Sequence, residues 1–198
     1  MGTEPSLAPV LVLASASPRR RELLSQFGSA FEVQPADIDE SIRPGERAED
    51  YVLRMAEEKA LAVAAARSDL PILAADTSVV IDGTILGKPA DAAQAGAMLK
   101  RLSGRSHQVM SALAMVLPGR LPESRLSITD VYFAALSDDW IRAYVASGDP
   151  MDKAGAYGIQ NAAGFKVNRI DGSYSGVVGL PLFETGELLA AAGLVDDT

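Results

Sequence analysis

The sequence predicts an α/β fold: a mixed central sheet flanked by helices, in one domain spanning residues 1–198. Three observations carry that reading. Short apolar runs of strand character interleave with longer stretches of strong helix formers. HQVMSALAMVLP and RLSITDVYFAAL read as two long strands joined by the turn around PGRLPES, so at least one hairpin is antiparallel. No internal repeat, low-complexity tract or linker divides the chain.

VLVLA is a buried strand. Ser17 as N-cap and Pro18 at the first helical position start a helix that runs to about Phe27. FEVQ is a short strand, followed by the acidic loop ADIDESIRPGE and its closing turn. A long helix runs from about Arg47 to Arg67, because YVLRMAEEKALAVAAA is rich in helix formers. PILAADTSVVIDGTIL reads as strand, polar interruption and strand, with Asp82-Gly83 as a hairpin turn. Asp91 and Gln94 form a capping pair, and Ala95, Met98, Leu99 and Leu102 share a helix face. After the two long strands, Ser137 caps DDWIRAYVAS, whose leading aspartates complement a helix start. GDPMDKAGAYGIQNAAG has four glycines in seventeen residues and little periodicity, which predicts a loop or broken helix. FKVNRI and YSGVVG are short strands, and Pro181 to Ala192 is a final helix stopped by Gly193. Residues 1–9 and 194–198 are expected to fray.

Composition narrows the functions available. A hydrophobic fraction of 48% and a charged fraction of 22% suit a soluble globular chain long enough to bury a core. The net charge of −8 disfavours nucleic acid and anionic membranes as partners. With no cysteine there are no disulfides and no thiolate zinc site. With one histidine, any metal must sit on carboxylates and ligand oxygens, which favours magnesium or manganese. The start MGTEPSLAPVLVLA lacks the basic lead of a signal peptide, and no run reaches the roughly eighteen apolar residues of a membrane span. The expectation is a cytoplasmic protein with no membrane partner.

The stretch ASASPRRRELL places Arg19, Arg20 and Arg21 on the electropositive start of a helix, where acidic residues are usual. A phosphate would satisfy that arrangement: free N–H groups, the hydroxyls of Ser15 and Ser17, and guanidinium groups able to pair bidentately. The alternative is that the arginines fan into solvent. No Walker loop is present. Asp76, between two apolar β-type runs, must be paired, metal-bound or on a cleft edge if it is not a turn aspartate. Thr77 beside it offers a hydroxyl. Lys59 shares the apolar face of the long helix with Val52, Met55, Ala56 and Val63, for which snorkelling is the simplest explanation. Lys88 follows the hairpin in LGKP, Gln160 ends DKAGAYGIQ, and His107, at the start of a strand, is read as structural.

LASASPRRRELL, AADTSVVIDGTILGKP, MLKRLSGRSHQV, DPMDKAGAYGIQ and GSYSGVVGLPL stand in the order seen in the Maf family, which the chain resembles from about Val10 to Gly193. That resemblance implies an elongated two-lobed fold, similar also to inosine triphosphatases, with a central cleft and a homodimeric assembly. It implies hydrolysis of nucleoside triphosphates to monophosphate and pyrophosphate, in the branch acting on dTTP and UTP, for nucleotide-pool housecleaning that can extend to modified pyrimidine nucleotides. Under it Asp76 is the catalytic base, Arg19, Thr77 and Gln160 select the substrate, and Glu40, Lys59 and Lys88 line the cleft. The helix-start reading adds Ser15, Ser17 and Arg20, against which the triphosphate would lie. Asp37 and Asp39 compete with Glu40 for its place. A divalent cation, held partly by Asp76 and Glu40, is expected to neutralise phosphate charge. A rival reading is a nucleotide-sensing module that regulates cell division without turnover; such a sensor needs the arginines but no base.

Overall fold

The computed structural model describes residues 8–196. Seven strands form one mixed sheet: β1 (Leu11–Leu13), β2 (Phe31–Val33), β3 (Ile72–Ile81), β4 (Thr84–Leu86), β5 (Ser106–Val116), β6 (Glu123–Phe133) and β7 (Val167–Asp171). Their order is β2-β1-β3-β5-β6-β7, with β4 pairing β3. β1 runs parallel to β2 and β3, and the remaining pairs are antiparallel. Six helices flank the sheet: α1 (Pro18–Ser25), α2 (Ala48–Ala66), α3 (Ala92–Leu102), α4 (Asp138–Ala146), α5 (Tyr174–Val178) and α6 (Leu182–Ala191). Among the described residues, none of them is long and apolar enough to cross a membrane.

Strand side chains alternate between faces, and the alternation divides the core in two. Val12, Ile72, Ala74, Ala112 and Ala114 face α2 and bury its Val52, Met55, Ala56 and Ala60. Leu13, Leu73, Ala75, Leu113 and Val131 face the other way, onto Leu24, Leu99, Leu180 and Leu189 from α1, α3 and the C-terminal segment. β3 is where the sheet changes partner. On one edge it pairs β1 through Ile72 and Leu73, and β4 only from Val79 onwards. Among the described residues, no strand covers the edge between those two pairings. The gap receives the chain leaving β1, and with it the Ser15–Arg20 turn.

Several boundaries follow from local chemistry. Asp91 Oδ1 accepts from the Gln94 N–H at 2.7 Å, and Gln94 Oε1 accepts from the Ala90 N–H at 2.6 Å. Ser137 Oγ accepts from the Trp140 N–H at 3.2 Å. The glycine-rich segment is three short 3-10 turns at Asp149–Asp152, Ala154–Ala156 and Ala162–Lys166. Gly155 is required there: its φ is +66°, and an added Cβ would meet Val79 at 2.8 Å.

Three expectations need correction. β3 is one unbroken ten-residue strand rather than two runs around a polar interruption. Asp76 and Thr77 keep their places in the β5 ladder, opposite Ala112 and Ser111, because their side chains are satisfied from either face. YSGVVG is not a strand: Tyr174–Val178 is a helical turn capped by Ser173, whose Oγ accepts from the Gly176 N–H at 3.0 Å. The cap outweighs the strand preference of two adjacent valines. At the C-terminus, Leu194 and Val195 pack on the core, and Leu194 N–H donates to the Leu189 carbonyl at 2.9 Å, so this stretch does not fray. Of the other ends expected to fray, residues 1–7 and 197–198 lie outside the described residues.

His107 is structural, 3% exposed and edge-on to Phe133 and Tyr157. Its Nε2 lies 2.8 Å from the Tyr157 hydroxyl, while Nδ1 has no partner. Burial pushes its pKa down from 6.5 to about 4. The unfolded chain therefore takes up this proton first, and stability falls as pH drops from about 6.5 towards about 4. A shift of that size corresponds to about 3 kcal/mol. Chemical denaturation at pH 7 and pH 4 should show that His107→Gln, which cannot titrate, loses less stability on acidification than the native protein.

Candidate active site

The gap in the β3 edge opens into a cleft of about 750 Å³. Ser15, Ser17, Arg19, Arg20, Glu40, Lys59, Asp76, Thr77, Lys88 and Gln160 all line it. Strand alternation sends Asp76 and Thr77, neighbours in sequence, to opposite faces of the sheet. Asp76 meets α2, and Thr77 meets α1 and β5.

On the α2 face, Lys59 does not snorkel. It is 9% exposed, and its Nζ lies 2.7 Å from Asp76 Oδ1 and 2.7 Å from Glu40 Oε1. The apolar stripe of α2 thus delivers an ammonium group to the one carboxylate buried in β3. Ala112, opposite Asp76 in the ladder, is small enough to leave that approach open. Glu40 sits in the loop after β2, where the Tyr51 hydroxyl donates to its carbonyl at 3.0 Å. Partial desolvation acts to raise the Glu40 pKa, but the hydrogen bond and charge of Lys59, with Lys88 and Arg20 behind them, leave it below its ordinary value. Of the competitors, Asp39 accepts from the Ser41 N–H at 2.9 Å, and neither it nor Asp37 lines the cleft. Burial, helped by Asp76 and Glu40, pushes the Tyr51 hydroxyl up to about 12, so it stays protonated.

On the other face, the three arginines divide. Arg20 turns inward: Nε donates to the Gly179 carbonyl at 2.9 Å, one terminal nitrogen to Ser15 Oγ at 3.3 Å and the other to Thr77 Oγ1 at 3.2 Å. Burial, reinforced by Arg19 and opposed by Asp76, holds its pKa below the ordinary arginine value. Arg19 lines the cleft and reaches Asp152 at 3.4 Å, while Arg21 is exposed and lies outside it. Ser17 occupies the N-cap position of α1, but its side chain caps nothing; its own N–H donates to Ser15 Oγ at 3.2 Å. The start of α1 therefore keeps its N–H groups for an anion. Lys88 and Gln160 are exposed at the rim.

Sequence reasoning missed two residues here. Lys153 is buried in the wall, its ammonium group 2.6 Å from the Asp149 carbonyl and 2.7 Å from Asp152 Oδ1. The spacing of Asp149 and Lys153, four residues apart, was the available signal. Ser111 hydrogen-bonds Thr77 at 2.9 Å, and only strand register reveals it. No group of three His, Cys, Asp or Glu side chains that could hold a metal occurs among the described residues.

Cations thus converge on one cleft from a helix start, a buried lysine and a loop, around the buried Asp76. A family model described as Maf-like protein matches residues 10–192, and the chain belongs to that family. It is 55% identical over 186 residues to a protein of Methylobacillus flagellatus named dTTP/UTP pyrophosphatase, covering 93% of each chain. An Escherichia coli O157:H7 protein of the same name is 53% identical over 181 residues, covering 91% of each. The structure of a HAM1 protein from Coxiella burnetii shares the fold, with a TM-score of 0.51 at 18% identity, over 93% of this chain and all of that one.

Removing Lys59 leaves Asp76 and Glu40 facing each other across the space it filled. Lys59→Met should cost about 3 kcal/mol near neutral pH, read by urea denaturation. The loss should shrink at pH 4, where Glu40, no longer held below its ordinary value by Lys59, can protonate. An equal loss at both pH values would mean that packing of the stem, not charge, is what Lys59 supplies.

Proposed function

We propose that this protein hydrolyses dTTP and UTP to the monophosphate and pyrophosphate. One observation carries the reading: a carboxylate fixed by Lys59 and a helix start bearing Arg19 and Arg20 face the same cleft. A module that only sensed nucleotides would need the cations but not the buried aspartate. The names of the relatives at 55% and 53% identity support the same activity.

In this reading the triphosphate lies against the Ser15–Arg20 turn. The N–H groups of α1, both arginines and Lys88 balance its charge. Lys59 holds Asp76 by Oδ1, which orients the carboxylate towards the cleft. Asp76 takes a proton from a water whose oxygen bonds to the α-phosphorus. The bond from that phosphorus to the bridging oxygen breaks, and pyrophosphate leaves with the electron pair. The negative charge growing on it falls among the arginines, which need not reorganise to meet it. The two carboxylates on Lys59 are hard oxygen donors of the type that hold magnesium or manganese together with substrate phosphates. A bound divalent ion would use Asp76 and Glu40, and would supply further neutralisation of phosphate charge.

Gln160, exposed at the rim, reads the base in this account. A pyrimidine 2,4-dione presents acceptor, N–H donor and acceptor, and a glutamine amide matches one donor–acceptor pair. The family resemblance also supports a cytoplasmic homodimer as the working form, which sedimentation of the purified protein would test.

Pyrophosphate release from a panel of nucleoside triphosphates, with and without magnesium, tests the activity. dTTP and UTP should lead, and magnesium should be needed. Asp76→Asn should lower turnover by about 10² to 10⁴ while dTTP still binds; near-normal turnover would remove Asp76 from its role. Gln160→Ala should narrow the advantage of dTTP and UTP over CTP and GTP in kcat/KM, and an unaltered ranking would defeat its assignment.

A further inference from the structure

The register of β3 and β5 sets Thr77 opposite Ser111. Ser111 is completely buried, at 0% exposure. Its Oγ lies 2.7 Å from the Gly176 carbonyl oxygen of α5 and 2.9 Å from Thr77 Oγ1. A carbonyl can only accept, and a serine has one proton to donate. Ser111 therefore donates to Gly176 and accepts from Thr77. The single hydroxyl proton of Thr77 is in turn directed into the protein. A guanidinium can only donate, so the Arg20 contact to Thr77 Oγ1 at 3.2 Å fits the same direction. The chain runs one way, from Arg20 to Thr77 to Ser111 to Gly176.

We propose that Ser111 is a positioning residue that holds the Thr77 hydroxyl as a hydrogen-bond acceptor towards the cleft, so that the site favours a pyrimidine 2,4-dione over cytosine. The inference rests on the dTTP/UTP reading above. Uracil and thymine carry a proton on N3 and can donate to Thr77. Cytosine carries a lone pair there and would face another acceptor. Phosphate oxygens are acceptors too, so Thr77 is not a phosphate ligand. That task falls to Arg20, three of whose five N–H donors are held by Gly179, Ser15 and Thr77, leaving two for a phosphate. Without Ser111, the Thr77 proton is free to turn outward and donate to cytosine N3.

The test compares kcat/KM for dTTP and dCTP in the native protein and in Ser111→Ala, Thr77→Val, Thr77→Ser and the Ser111→Ala/Thr77→Val double variant. Ser111→Ala should reduce the preference for dTTP about tenfold, the weight of one well-made hydrogen bond. Thr77→Val should reduce it as well, and the double variant should go no further than Thr77→Val alone. Thr77→Ser, which keeps the hydroxyl, should retain the native preference. If Ser111→Ala slows both nucleotides equally, or if its effect adds fully to that of Thr77→Val, Ser111 acts only on the fold and the proposal is overturned. Should Ser111→Ala not fold, the two single Thr77 variants still decide, because an unchanged preference in Thr77→Val also overturns it. Failure of the native protein to release pyrophosphate from either nucleotide would instead refute the activity, and would be seen before any variant is compared.

Discussion

The ion pair between Lys59 and Asp76 is the interaction on which the rest of the site depends. A lone carboxylate in the middle of a sheet core would be too costly to keep ionised. At 2.7 Å from a buried ammonium group, it is tolerated and oriented at once. Pairing inside a protein is weak evidence for stability, since desolvation offsets most of the attraction. The arrangement makes more sense as function: it keeps a charged oxygen facing a cleft that otherwise gathers cations. Glu40 on the same ammonium group extends the device to the loop after β2.

The break in sheet pairing along β3 supplies the space. Where β1 stops and β4 has not begun, the edge of β3 is left without a partner strand, and Asp76 and Thr77 are among the residues placed there. The chain leaving β1 turns immediately into α1, so the same gap receives a helix start. Arginines are unusual at such a start, but each has a different outlet. Arg20 is tied to α1's own turn, β3 and the segment after α5; Arg19 faces the cleft; Arg21 faces solvent. Repulsion among the three is thereby reduced by direction, and the two that face inward leave the cleft short of negative charge.

Much of this was legible in the sequence because it depends on local rules. Ser17-Pro18 marked the start of α1, Asp91 and Gln94 that of α3, and Ser137 that of α4. The glycine-rich segment, read as a loop or broken helix, is a run of three short 3-10 turns. What sequence could not give was the resolution of conflicts that tertiary contact decides. Asp76 and Thr77 looked like an interruption because no local signal reveals that Lys59 and Arg20 satisfy them from opposite faces. Tyr174–Val178 looked like a strand because its valines outvoted one serine, whose cap is visible only in space. Lys59 looked like a snorkelling lysine for the same reason, since its spacing placed it on the right face but said nothing of what waited there. Ser111, a hydroxyl in an apolar strand, gains meaning only from the register of β5 against β3.

A structure with a dTTP analogue carrying an imido bridge between the α- and β-phosphorus, which cannot be cleaved there, tests the account most directly. The triphosphate should lie on the Ser15–Arg20 turn, in contact with Arg19 and Arg20, with a water between Asp76 and the α-phosphorus. A triphosphate seated away from that turn, with Asp76 still closed on Lys59 and no water or phosphate beside it, would contradict it.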